Sequence, residues 1–207
     1  DILGAIGTDI MYDNVMDKWV WGNMDDVEHG IYMDENNRRM VTNVRLQMAN
    51  LSEALLKERD PERAMEVLDE LMRAMPKENV PYSRVMMPVA ETYMQLASDT
   101  ALAPNTKNLS EASRLHAWKM AQEISDDFMA MQEDNIAYFT SLEPEYYMAA
   151  DREMQFALQV GDRLVRVMKY FHPTSDVTKA LEDRLTDMES EVEAYERNLV
   201  DLGDFAF

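Results

Sequence analysis

The sequence predicts an all-α protein: an extended N-terminal arm, a run of helical hairpins, and a long antiparallel helical pair at the end. Three observations carry this. Apolar residues recur at spacings of three and four along most of the chain, the period of one helix face. Ala, Leu, Met, Glu, Arg and Gln, all favourable in helices, are abundant. Six glycines in 207 residues are too few for a β-rich chain with many tight turns. Most of the nineteen methionines fall on the helical stripes, where Met serves as an adaptable core filler.

The arm comes first, over residues 1–38. Its stretch Tyr12–Arg39 reads YDNVMDKWVWGNMDDVEHGIYMDENNRR and mixes two tryptophans, two tyrosines and a histidine with many carboxylates. Trp19 and Trp21 flank Val20, so in an extended segment both rings point to the same side. Two large rings near a terminus are best used as an anchor on the helical body. The alternative is a sugar-stacking platform with carboxylates beside it. The DENN segment starts the first helix, with Asp34 or Asn36 as cap.

Residues 39–142 form the hairpin region. Val41, Val44, Met48, Leu51 and Leu55 give one apolar face to a helix over Met40–Lys57. Asp60, Pro61 and Glu62 then supply a cap, a first-turn proline and a favourable charge at the next helix N-terminus. Ala64, Val67, Leu68, Leu71, Met72 and Met75 make its stripe, and Pro76 closes it. A third helix is expected over roughly Ser83–Ser98, with Pro88 either kinking it or marking a later start. Asp99–Lys107, DTALAPNTK, reads as a loop. Asn108 with Glu111 resembles a capping box, opening a helix to about Gln132 that breaks before the aromatic segment Ile136–Leu142.

Residues 143–207 form the final pair, continuous with the rest as one domain. Pro144 opens a long helix with Tyr147, Ala150, Met154, Ala157, Leu158, Gly161, Leu164, Val165 and Met168 on one face. Phe171–Asp176 is a turn, and Ser175 caps the last helix. There Leu181, Met188, Tyr195 and Leu202 alternate with Leu185, Val192 and Leu199 in a coiled-coil seam. Its partner is the preceding helix or a second copy of the chain.

Two resemblances sharpen this. Met48, Leu51, Ser52, Leu55, Ala64, Leu68 and Pro76 match the pattern of a tetratricopeptide repeat, a unit of about 34 residues; Leu71 departs from it. A looser second unit begins at Val89, Ala90 and Tyr93. The runs YDNVMDKWVWGNMDD, IYMDENNRRM, AMEVLDELMRAMPKENVPYS and MMPVAETY resemble the soluble C-terminal region of large multi-pass bacterial membrane proteins. Their transmembrane half is grouped with protein O-mannosyltransferase-like glycosyltransferases of the GT-C type. The resemblance, over Tyr12–Tyr93, implies a periplasmic tail on the inner membrane, partnered with its own transmembrane domain. It also implies that the catalytic acids lie in that other half, so no catalytic residue is assigned here.

Composition narrows the chemistry. Forty acidic against twenty basic residues give a formal charge of −20, which repels nucleic acid and anionic lipid. No apolar run approaches the roughly 20 residues of a membrane span, so no direct membrane insertion is expected. No signal peptide opens the chain. A start at Asp1 fits a processed protein or an excised piece. Without cysteine there is no disulfide, thiolate ligand or thiol nucleophile. His29, His116 and His172 lack a metal-binding spacing, no phosphate loop or nucleophile elbow is present, and no metal or cofactor is expected. Asp25 with Asp26, and Asp126 with Asp127, read as solvated faces. Tyr138, Phe139, Tyr146 and Tyr147 read as a helix-junction core.

The expected function is a non-catalytic module that binds a protein, peptide or glycan partner. The binding candidates are the aromatic residues Trp19, Trp21, Tyr82, Tyr93, Tyr138 and Tyr146. The competing expectations are a carbohydrate-active enzyme using carboxylates beside the tryptophans, and a scaffold that homodimerises through the heptad seam.

Overall fold

The computed structural model describes residues 7–99 and 101–201. The chain is helical, with no strand among the described residues. Its α-helices are α1 (Thr8–Asp13), α2 (Glu35–Lys57), α3 (Pro61–Ala74), α4 (Met86–Ala97), α5 (Glu111–Thr140), α6 (Tyr147–Phe171) and α7 (Asp176–Asp201). Two compact units, Asp1–Ala121 and Gln122–Phe207, divide the chain within α5.

The first unit is built on α2 and α3. The Asp34 carboxylate accepts from the Asn37 backbone N–H at 2.8 Å, so of the two candidate caps Asp34 is used and α2 starts at Glu35. Asp60 caps α3 in the same way, accepting from Arg63 N–H at 3.2 Å with Pro61 as first residue. Met48, Leu51, Leu55, Ala64, Val67, Leu68 and Leu71 are fully buried, and α2 packs on α3 and α4. Small residues bring α2 and α3 close: the Ser52 hydroxyl donates to the Ala64 carbonyl at 3.0 Å.

Of the two readings of Pro88, the later start is the one found: the helix starts at Met86 and not at Ser83, which puts Pro88 in the first turn, where it forfeits no bond. Two other expectations in this part of the chain are corrected. The cap of α5 is Ser110 and not Asn108: the Ser113 N–H donates to Ser110 Oγ at 3.1 Å. Buried Leu109 donates its N–H to the Thr106 carbonyl at 3.0 Å, holding residues 106–109 in a turn and delaying the helix. The arm is also only partly extended. Thr8–Asp13 is helical and runs into a π-helical turn at Asn14–Lys18. Thr8, Met11 and Val15 explain this, since they stand three and four apart; Thr8 and Val15 are buried and Met11 half-buried. Beyond Trp19 the arm is irregular, with a left-handed pair at Gly22 (φ 60°) and Asn23 (φ 64°).

The second unit contains α6, α7 and the C-terminal part of α5. α5 does not break near Gln132: Ile136 is fully buried, and the helix continues to Thr140 before turning. The chain re-enters through a 3-10 turn at Pro144–Tyr146. Ala150, Met154, Ala157, Gly161, Leu164, Val165 and Met168 are buried along α6, which packs on α7. On α7 the seam residues Leu181, Leu185, Met188, Val192 and Leu199 are buried; Leu202 lies outside the described residues. Gly161 is where the packing is closest, since a Cβ there would stand 3.1 Å from Leu185 Cδ1. Ser175 does cap α7, its Oγ accepting from Val177 N–H at 3.2 Å. The buried methionines, among them Met48, Met86, Met94, Met129, Met154 and Met168, fill the cores of both units.

Candidate functional site

The arm and α3 together hold the densest group of chemistry-bearing side chains in the first unit. On α3, Arg63, Glu66, Glu70 and Arg73 recur at spacings of three and four on a polar face beside the apolar stripe. Each meets the arm. Arg63 pairs with Asp9 at 2.7 Å and lies over the Tyr12 ring, 5.2 Å from its centroid. The Tyr12 hydroxyl donates to Glu66, and burial followed by this bond pushes the phenol up to about 12. Arg73 pairs with Asp25 at 2.8 Å.

Trp21 bonds to this face, and Trp19 packs against Trp21. Their rings meet edge-to-face, 5.5 Å apart at 79°, while Val20 between them is almost fully exposed, as an extended backbone demands. The Trp21 indole N–H donates to Glu70 at 2.6 Å. Glu70 also accepts two bonds from the Arg73 guanidinium, at 2.7 and 2.8 Å. Its carboxyl is held below the usual glutamate range, by Arg73 first and Trp21 second, against the opposing effect of burial. A carboxylate in that state keeps its negative charge and is a poor proton donor. Glu70, bonded to Trp21, and Asp25 of the arm are thus both engaged by Arg73.

Below the tryptophans, Asn79 donates to the Met24 and Asp26 carbonyls at 2.8 and 2.9 Å and fixes the turn between them. Arg45 is buried on α2 and donates to the carbonyls of Met75 and Val80 at 2.6 Å and of Pro81 at 3.0 Å. Burial lowers its pKa to about 10. Its guanidinium also lies 5.7 Å from the centre of the half-buried Tyr82 ring.

The remaining candidates lie elsewhere. Tyr93 is fully buried, and its hydroxyl donates to Asp69 at 2.7 Å, which His116 also contacts at 2.9 Å. Burial and the Asp69 charge raise the Tyr93 pKa well above its ordinary value, so it stays a neutral donor. In the second unit Tyr138 and Tyr146 are 60% and 53% exposed, which corrects the helix-junction core expected there. An exposed position follows for Tyr138 because Ile136, two residues earlier on α5, points into the core. Within that group the Tyr138 and Phe139 rings meet edge-to-face at 5.1 Å, and half-buried Tyr147 stands 6.3 Å from Tyr195.

Asp25 and Asp26 do not face a common ion: Asp25 meets Arg73, and Asp26 meets His29 at 2.9 Å. Among the described residues no three His, Asp or Glu side chains converge as a metal site. A groove of about 380 Å³ lined by Gly7, Ile10, Met11, Asn14 and Gln47 offers apolar and neutral polar contacts only.

Sequence reading missed Glu70, Arg73 and Arg45. The first two were legible as a polar face of α3 in register with the arm. Arg45 carried a signal of its own: it replaces an apolar residue in the sequence Val41, Arg45, Met48, Ser52, spaced as one face. No family model, no curated protein and no solved structure matches the chain.

Proposed function

We propose that this chain is a non-catalytic helical interaction module, tetratricopeptide-like in its first unit and an antiparallel helical pair in its last part. The observation that carries the non-catalytic reading is the state of Glu70. The carboxylate bonded to Trp21 is engaged by Arg73 and Trp21 and its pKa is held low, which disfavours it as the acid that glycoside chemistry would need beside the tryptophans. The close Ser52–Ala64 crossing of α2 and α3 supports the repeat-like reading. The pairing of Tyr147 with Tyr195, and of Lys169 with Glu182 at 2.6 Å, supports the antiparallel one, since each contact joins opposite ends of α6 and α7. The burial of the seam residues in a single chain favours intrachain packing over dimerisation.

A charge of −20 favours basic or neutral peptide segments as partners. The resemblance over Tyr12–Tyr93 supports a place on the periplasmic side of a membrane-bound glycosyltransferase, against its transmembrane domain. Two experiments test this. Fluorescence titration with basic, neutral and acidic peptides should show binding that weakens in that order, whereas turnover of aryl glycosides would overturn the reading. The coding sequence upstream of Asp1 should encode hydrophobic spans; a signal peptide or a start codon there would remove the membrane-bound parent.

A further inference from the structure

We propose that Thr8–Asp26 is a releasable strap, latched onto the polar face of α3 by Arg63 and Arg73, and that its release leaves the helices beneath it folded.

The contacts divide by chemistry. α3 buries its apolar stripe against α2 and α4, so its own folding does not depend on the arm. The arm's α1 packs on α2, and side chains of the arm bond to the second, polar face of α3. Within Thr8–Lys18 only Thr8 and Val15 are buried, against seven residues of α2. What fastens the arm is mainly polar: Asp9 to Arg63, Tyr12 to Glu66, Trp21 to Glu70 and Asp25 to Arg73 on α3, with Thr8 to Glu58 and Asn79 to the Met24 and Asp26 carbonyls beside them. Segments held by few apolar contacts open locally well before the global fold does.

The two arginines act as a latch because each is a bridge. Arg63 holds Asp9 of the arm and Asp60 of α3's own cap; Arg73 holds Asp25 of the arm and Glu70 of α3. Without them, Asp9 would be left beside Asp60 and Asp25 beside Glu70, so two ion pairs would give way to like-charge repulsion. A hinge is also present. Between the strap and α2 the chain passes through Gly30 in the left-handed region (φ 62°), and Tyr32 is 92% exposed.

The test is amide hydrogen exchange on the full chain, comparing the native sequence with Arg63→Gln/Arg73→Gln. Exchange over residues 8–18 should accelerate about tenfold in the double variant, as two lost ion pairs imply, with α2, α3 and α4 unchanged. Unchanged exchange of the arm, or equal acceleration of arm and helices, would overturn the proposal. If the variant fails to fold, native chain in sub-denaturing urea decides. A strap opens with a weak urea dependence below the transition of α2 and α3, whereas exchange of residues 8–18 only with that transition means there is no strap.

Discussion

The two units meet the demands of their backbones in different ways. In the second, long helices satisfy most of their own N–H and C=O groups, and the connections are short: residues 141–146 and the turn 172–175. Its α6–α7 contact is accordingly an apolar seam. The first unit has shorter helices joined by irregular segments, whose carbonyls have no helical partner. Side chains supply the donors. Arg45 serves Met75, Val80 and Pro81; Asn79 serves Met24 and Asp26; Arg114 serves Ser98 and Thr106. Arg45 and Asn79 are buried beside irregular backbone, and each pairs two or more carbonyls that would otherwise lack a partner.

The largest effect should come from cutting one of these donors. Arg45→Met keeps much of the apolar stem but strands three carbonyls, and should lower the stability of the first unit by about 4 kcal/mol in urea unfolding. Leu181→Ala tests the other side. It removes a fully buried seam residue and should cost about 3 kcal/mol, felt in the second unit through cavity formation and not through lost hydrogen bonds. Amide exchange resolved by unit separates the two. Asp60→Ala, which removes the cap of α3, should cost about 1 kcal/mol. Smallest in global stability is Trp21→Phe. It keeps an aromatic ring but deletes the bond to Glu70, so thermal unfolding should shift little, while in a Trp118→Phe background, where Trp19 is the only indole left, the fluorescence should move toward that of a more exposed indole.

Much of the fold was legible because helix signals are local. Asp60–Pro61 set the start of α3, and the spacing of Leu181, Leu185, Met188 and Val192 marked the seam that α7 buries. Three features were not. Leu109 delays α5 through a tertiary position that no cap motif reports, and Ile136 carries α5 past an expected break for the same reason. The exposure of Tyr138 and Tyr146 depends on which face of α5 and of the following turn meets the core, which aromatic content alone does not specify. For the site, the common side of Trp19 and Trp21 followed from strand geometry, and their rings do touch. Their partner did not follow. Glu70 lies far along the chain, and only the docking of arm on α3 makes that carboxylate structural.

The central claim is that Glu70 is a fixed anion clamped for structure. Carboxyl-detected NMR titration of Glu70 in the native chain tests it most directly. With its pKa depressed below the ordinary 4.5, Glu70 contributes stability that is present above that value and lost as pH falls through the folded one. The titration should therefore show a midpoint below the ordinary value, with the Trp21 indole N–H signal shifting in step as the arm loosens, and Trp21→Phe should bring the midpoint up. A Glu70 midpoint above the ordinary value, with the indole signal unmoved, would describe a proton donor in waiting and contradict the account.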